Sequence, residues 1–283
     1  MKSSRNKTIF VTQKDLKKYP SLKLKENIPK DDLKNKIFYN DFLKVSKFIP
    51  SNSIDLIVTD PPYTISKEFG KGKVSTNKTK FKVWCQEWID ECFRLLKKDG
   101  SIYICINWEA SSIIEELLDE KFIIKNRITW KRDKGRGAKT NWKNNLEDIW
   151  FATKSNEYTF NLKDVMIEKE VIAPYVDKEG KPKDWKEING KKIRMTHPSN
   201  IWTDLTIPFW SMPENTEHPT QKPEKLIERI ILASSNKNNL IFDPFMGSGT
   251  TAIVAKKLKR NYLGFEIEKK FYTLIQKRLS RNL

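Results

Sequence analysis

The chain has 283 residues, 38% hydrophobic and 32% charged, which suits a folded α/β protein of one large domain or two small ones. Lysine and arginine number 54 against 36 acids, a formal net charge of +18, and such an excess fits a polyanionic partner, nucleic acid ahead of an acidic membrane surface, although AT-rich coding would also enrich lysine. No apolar run of about 18 residues occurs and no signal-peptide pattern opens the sequence, so a cytoplasmic protein is expected and a membrane-spanning one is not.

Residues 1–36 are lysine-rich with weak periodicity and read as an arm or extra layer. From Ile37 the pattern sharpens, and Ile54, Leu56, Ile57 and Val58 predict a buried strand. That strand runs into Asp60-Pro61-Pro62-Tyr63, where two prolines end the ladder and fix the backbone beside an acid and an aromatic ring. The stretch from Tyr63 to Phe81 is aperiodic and rich in Gly, Lys, Ser and Thr, which predicts a long loop of functional type. Trp84, Trp88, Ile89, Cys92, Phe93, Leu95 and Leu96 recur at helical spacing, with Asp99-Gly100 expected to end that helix before the strand "SIYICI". Glu109 to Glu120 predicts a helix, and "FIIKNRITW" and "EDIWFAT" two strands separated by the basic stretch "KRDKGRGAKTNWKNN".

Between Lys154 and Glu217 the alternation of strand and helix breaks down among five prolines and clusters of lysine, as in an insertion with its own irregular fold. Alternation then resumes: a helix over "PEKLIERIILAS", a strand "LIFD", a glycine turn "MGSGTT", a helix, a strand "YLGFE" and a last helix. The expected architecture is a doubly wound, mostly parallel α/β sheet, divided into 1–36, 37–153, the insertion 154–217, and 218–283. Cys85, Cys92 and Cys105 lack metal-ligand spacing, and His197 and His218 lie far apart, so no metal site is expected.

The turn Asp243-Pro-Phe-Met-Gly247-Ser-Gly249-Thr250-Thr251 follows a strand and opens a helix. Glycine there lets the backbone approach a ligand, and the helix N-terminus offers unpaired N–H groups. Glu266 ends the next strand, on the order of 20 residues on, where a carboxylate can accept from both ribose hydroxyls of a nucleoside. No lysine follows the glycines, so the phosphate-binding loop of nucleotide hydrolases is excluded, whereas "GSGTTA" satisfies a loose dinucleotide fingerprint and keeps a nicotinamide enzyme open. Both "DPPY" and the glycine turn end core strands, so both are expected on the carboxyl edge of one sheet, where ligands bind.

With Asp60-Pro61-Pro62-Tyr63, Phe245-Met-Gly247-Ser-Gly249-Thr250 and His218-Pro-Thr-Gln-Lys222-Pro223 in this order, the chain resembles the β class of amino-DNA methyltransferases from about Phe38 onward. The resemblance implies a Rossmann-like methyltransferase fold in circularly permuted order, S-adenosylmethionine as cofactor, and 154–217 as a target-recognition region. It also implies that Asp41 lies near the cofactor's adenine, that Lys222 lines the methionine end of its site, and that Phe245 packs against it. The implied setting is bacterial, with duplex DNA as substrate, either restriction–modification with a cognate endonuclease as partner or a solitary methylase, and a monomer or homodimer as the active form.

For such an enzyme the chemistry answers why an acid is held rigidly at a strand end. The amino nitrogen of adenine is a weak nucleophile, and a carboxylate at Asp60 with the Pro61 carbonyl can accept both amino hydrogens and aim the lone pair. Tyr63 would stack on a flipped base. Methylation at cytosine C5 needs a cysteine nucleophile, in that family beside a proline, and no Pro-Cys occurs. Arg132, Lys134, Arg136 and Lys139 are candidate phosphate contacts, as are Lys183, Lys186, Lys191, Lys192 and Arg194, while Asn189 or Asn200 could read adenine. Adenine N6 is the expected target, with cytosine N4, an RNA amino group, or a DNA-binding protein without catalysis as the alternatives.

Overall fold

The computed structural model describes residues 5–62, 78–132, 139–140, 142–172 and 174–281. Its strands in chain order are β1 (Lys36–Tyr39), β2 (Ile54–Thr59), β3 (Leu96–Ile106), β4 (Ile123–Lys131), β5 (Leu146–Thr153), β6 (Ile167–Glu170), β7 (Lys186–Ile188), β8 (Lys191–Thr196), β9 (Ile201–Trp202), β10 (Leu240–Asp243) and β11 (Asn261–Glu266). The α-helices are α1 (Gln13–Lys18), α2 (Phe42–Val45), α3 (Lys78–Leu95), α4 (Trp108–Asp119), α5 (Leu162–Val165), α6 (Glu224–Ser234), α7 (Thr250–Lys257) and α8 (Lys269–Leu279).

The central sheet runs β1-β11-β10-β2-β3-β5-β4-β9. Only the pairings of β5 with β3 and β4 are antiparallel. Strands β10 and β11 step one way from the middle and β2 and β3 step the other, so the order reverses between β10 and β2, which is where doubly wound sheets bind ligands. Neighbouring residues of β2 serve opposite layers: Ile57 packs with Phe81, Trp88 and Ile114 under α3 and α4, and Val58 with Leu226, Ile253 and Ile275 under α6, α7 and α8.

Helix α3 buries Phe81, Cys85, Trp88, Ile89, Cys92 and Leu95, a single stripe at helical spacing in which the thiols act as small hydrophobes. It ends at Leu95, earlier than Asp99-Gly100 predicts. Ile54 faces Leu96 and Leu56 faces Ser101, so the Lys-Lys-Asp-Gly segment is accommodated as an irregularity inside the ladder of β3.

Residues 5–35 pack against the domain rather than trailing from it. Ile9 bridges to Thr216, Lys277 Nζ donates to the Phe10 carbonyl and pairs with Asp15 at 2.7 Å, and Leu24 and Leu33 are buried in the core. Among the described residues of the 154–217 stretch, β6, β8 and β7 form a separate sheet, antiparallel and largely exposed. Its flanks join the main domain: Asn161 Nδ2 donates to the Leu232 and Ser235 carbonyls, and β9 extends the central sheet beside β4. Among the described residues no helix is long and apolar enough to cross a membrane.

Candidate active site

The strands β1, β2, β10 and β11 all end on one edge, and each leaves an acid there: Asp41, Asp60, Asp243 and Glu266. These acids line a single cleft of about 480 Å³, together with Pro61, Pro62, Lys222, Phe245 and the Gly247 turn. The sheet order alone brings this about, because β10 lies directly between β2 and β11.

The turn after β10 is built around two left-handed residues, Gly247 at φ +53° and Gly249 at φ +80°. A side chain at either would be strained, and a Cβ at Gly247 would stand 3.0 Å from His218 Nε2. Two of the acids hold this turn. Asp243 accepts from the Phe245 N–H at 3.0 Å and the Thr251 hydroxyl at 2.8 Å. Glu266 accepts from the Gly247 N–H at 2.8 Å and the Glu268 N–H at 2.7 Å. Burial pushes both carboxyls up to about 7, against the pull of those hydrogen bonds. Thr250 is tied in from the other side, donating to the Lys222 carbonyl at 3.2 Å, while the buried Arg278 donates to the Ser248 carbonyl at 2.7 Å.

Asp41 caps α2, accepting from the Leu43 N–H at 3.2 Å, and so presents its carboxylate at the cleft from a fixed helix start. Phe245 lies between Trp84 and Trp88, with ring centroids at 5.4 and 5.6 Å, which makes one wall aromatic. His218 stacks edge-on against Phe271 at 4.4 Å, and burial with the nearby Lys222 and Arg278 charges lowers it to about 4, so the ring is neutral near pH 7. Acceptors for hydroxyls, an aromatic wall of Trp84 and Phe245 and a turn open to close approach fit a nucleoside-bearing cofactor such as S-adenosylmethionine.

At the β2 side, Asp60 retains about 21% side-chain exposure, enough to meet a ligand. The Lys222 ammonium lies 2.6 Å from Asp60 Oδ2 and 3.2 Å from Glu147 Oε2. Arg132 in turn holds Glu147 Oε1 at 2.8 Å. Glu147 is absent from the sequence-derived site: on paper it is an acid at the start of "EDIWFAT", yet it is only 4% exposed. Its signal is the pairing of two acids with a strand that is otherwise apolar. His218, Phe271 and Arg278 are further cleft or turn residues to which sequence reasoning gave no role.

Tyr63, Lys134 and Arg136 lie outside the described residues. Arg132 is engaged with Glu147, whereas Lys139 is exposed. In the small sheet, Asn189 and Gly190 are both left-handed and form the tip of the β7–β8 hairpin. Asn200 donates to Asn126 and to the Arg127 carbonyl, at 3.1 and 3.0 Å, which stitches the start of β9 to β4.

Comparison with known proteins identifies the family and the fold. The family model described as DNA methylase, of the N6/N4 type, matches residues 54–277. The chain is 37% identical over 245 residues to the DNA adenine methyltransferase YhdJ of Escherichia coli (strain K12), covering 86% of this chain and 82% of that protein. It is 34% identical over 247 residues to the type II methyltransferase M.HpaI of Haemophilus parainfluenzae, covering 86% and 74%. Among solved structures it matches the M1.HpyAVI–SAM complex with a TM-score of 0.58 at 26% identity, over 87% of this chain and 98% of that one. The cytosine-N4-specific PvuII DNA methyltransferase shares the fold, with a TM-score of 0.65 at 19% identity over 88% of each chain. The chain belongs to the β-class amino-DNA methyltransferases, the S-adenosylmethionine-dependent family of restriction–modification type.

Proposed function

We propose that this protein methylates N6 of adenine within a specific site in duplex DNA, on a base flipped into the cleft beside Asp60. The observation that carries the reading is the placement of Asp60 and the Pro61 carbonyl at the end of β2, across one cleft from the glycine turn. S-adenosylmethionine supplies a methyl carbon made electrophilic by its sulfonium. Asp60 and the Pro61 carbonyl accept the two amino hydrogens, which draws the nitrogen toward tetrahedral geometry with its lone pair directed at the methyl. The prolines fix both acceptors before the base arrives, so little reorganisation accompanies the attack.

Asp41, Lys222, Asp243, Phe245, Gly247, Gly249, Thr250 and Glu266 form the cofactor side in this reading, Asp243 and Thr250 by shaping the turn and Glu266 also by accepting from ribose hydroxyls. Tyr63 stacks on the flipped base, offsetting about 1–3 kcal/mol of the unstacking. The 154–217 region selects the site, and of the basic residues Arg132, Lys134, Arg136 and Lys139 the last three meet phosphates, whereas Arg132 holds Glu147. The choice of adenine is supported by the similarity to YhdJ and by the aspartate that opens the tetrapeptide. The enzyme acts in a bacterial cytoplasm, as a monomer or homodimer, alongside an endonuclease of the same specificity.

Nucleoside mass spectrometry of unmethylated plasmid incubated with protein and cofactor tests this reading. N6-methyladenine is expected. N4-methylcytosine would overturn the choice of base, and no methylated nucleoside from a folded, cofactor-binding protein would overturn the assignment to duplex DNA.

A further inference from the structure

We propose that Glu147 is a positioning residue for methyl transfer, sharing the Lys222 ammonium with Asp60 so that an incoming amino group can take over Asp60 without stranding a buried cation. The inference rests on the reading of Asp60 as the acceptor for that amino group.

Four charges alternate in sign along one line of ion pairs. Asp60 Oδ2 stands 2.6 Å from Lys222 Nζ, Lys222 Nζ stands 3.2 Å from Glu147 Oε2, and Glu147 Oε1 stands 2.8 Å from Arg132 Nη1. The side chains of Lys222 and Glu147 are 7% and 5% exposed, so neither charge is carried by solvent. An ammonium that close to Asp60 competes for the carboxylate that must receive the substrate's N–H groups. If Asp60 were its sole acid, drawing the base in would leave Lys222 buried with its charge uncompensated, which is strongly unfavourable. Glu147 lowers that penalty because its Oε2, which has no hydrogen-bond donor of its own, already lies 3.2 Å from the same ammonium as an ion pair.

The anchoring is rigid at both ends. Glu147 is a ladder residue of β5, opposite Trp130 of β4, and its second oxygen is fixed by Arg132. The Lys222 carbonyl accepts from Thr250 at the start of α7, so the same residue joins the amino-group acceptor to the cofactor turn. A small displacement of Lys222 therefore shifts both halves of the site.

Single-turnover methyl transfer by the full chain, with cofactor and DNA affinities and melting temperature measured on the same samples, tests the assignment. Glu147→Gln is expected to slow the transfer step on the order of 100-fold, while both affinities stay within about threefold of the parent. Since Glu147 acts through Lys222, adding Glu147→Gln to Lys222→Gln should change the rate by less than about threefold. An unchanged rate in Glu147→Gln, a loss that follows cofactor affinity, or losses that simply multiply in the double variant would each overturn the proposal. Should Glu147→Gln alone not fold, the double variant against Lys222→Gln makes the same comparison, and failure of both to fold would make Glu147 a folding residue and end the proposal. Asp60→Ala in the same assay separates the two levels: full activity there refutes the catalytic reading itself, whereas an inactive Asp60→Ala beside a fully active Glu147→Gln refutes only the role of Glu147.

Discussion

Glu266 closes onto Gly247: its Oε2 accepts the glycine N–H at 2.8 Å, so the acid at the end of β11 is bonded to the turn that follows β10. Burial raises this carboxyl to about 7, and in the proposed complex its ionised form accepts from ribose hydroxyls. Cofactor affinity should then rise as pH increases through about 7, because deprotonation creates the better acceptor. Titration of the protein with S-adenosylmethionine by calorimetry between pH 5.5 and 8.5 (assay conditions of roughly three units around that midpoint) reads this directly. The parent should tighten across the window and Glu266→Gln should tighten less, keeping only what Asp243 contributes in the same range. His218, lowered to about 4, stays neutral throughout and adds nothing to the slope.

The same two buried acids set an expectation for stability without cofactor. Asp243 and Glu266 both have folded values raised to about 7 from 3.8 and 4.5. Between the unfolded and folded values the native state binds more protons than the unfolded chain, so the contribution of these groups to stability falls as pH rises through that window. Melting temperature, followed from pH 5 upward to about 8, should decline less in Asp243→Asn than in the parent. An equal decline in both would show that Asp243 does not titrate as its burial requires.

Gly247→Ala tests the turn itself. At φ +53° an L side chain costs about 1–2 kcal/mol, and its Cβ would also press on the His218 ring at 3.0 Å. Cofactor affinity should weaken by about tenfold, since 1.4 kcal/mol corresponds to one decade. Alanine at Gly180, which is also left-handed but has no atom within 4 Å of its added Cβ and lies away from the cleft, should leave cofactor affinity unchanged.

Asp60→Ala separates binding from chemistry. The carboxylate belongs to the β2 end of the cleft, and the described hydrogen-bond partners of Glu266, Asp243 and the glycine turn do not include it. Cofactor binding should persist while the methylation rate falls by at least about 10²–10³, the loss seen when one preorganised partner of a transition state is removed. Substantial residual methylation would mean that the carboxylate does not orient the amino group.

Much of this site is legible without coordinates because strand ends carry their own punctuation. Pro61 and Pro62 stop β2, Gly247 and Gly249 turn β10 into α7, and each stop leaves its acid on the edge where the sheet gathers ligands. Glu147 escapes such reading for a physical reason. Its burial is decided by pairing with Lys222, 75 residues away in sequence, and by β5 running antiparallel between β3 and β4, so the two adjacent acids of an apolar strand are the one local sign, and they do not say which partner buries it. The arm is similar: Ile9-Phe10-Val11 is a short apolar run in a lysine-rich stretch, and nothing local shows that Ile9 is buried until Thr216 bridges to it. The end of α3 illustrates a third limit, since Asp99-Gly100 is a good helix stop locally, but the pairing of Leu96 with Ile54 claims those residues for the sheet.

The small sheet offers a test of where the positive charge is used. Lys169 pairs with Arg194, placing them on one face, and Lys192 shares it because it lies two residues from Arg194 along β8. Glu187, opposite Lys192, is the acid that these strands add to that face, and Asp184, just before β7, pairs with Arg194 at 3.4 Å. The other face carries Lys186 and Lys191, but also Glu168 and Glu170, the latter already paired with Lys191 at 3.2 Å. By this count of charges the Lys169 face is the more basic, and we expect it to be the one that meets the DNA backbone. Replacing Lys169, Lys192 and Arg194 together by alanine should weaken binding to non-target duplex and flatten the plot of log affinity against log salt by about 0.9 for each phosphate no longer neutralised. Replacing Lys186 and Lys191 by alanine should leave that slope nearly unchanged. Fluorescence anisotropy over a series of salt concentrations measures both, and an equal change of slope from the two faces would show that the sheet does not present one side to DNA.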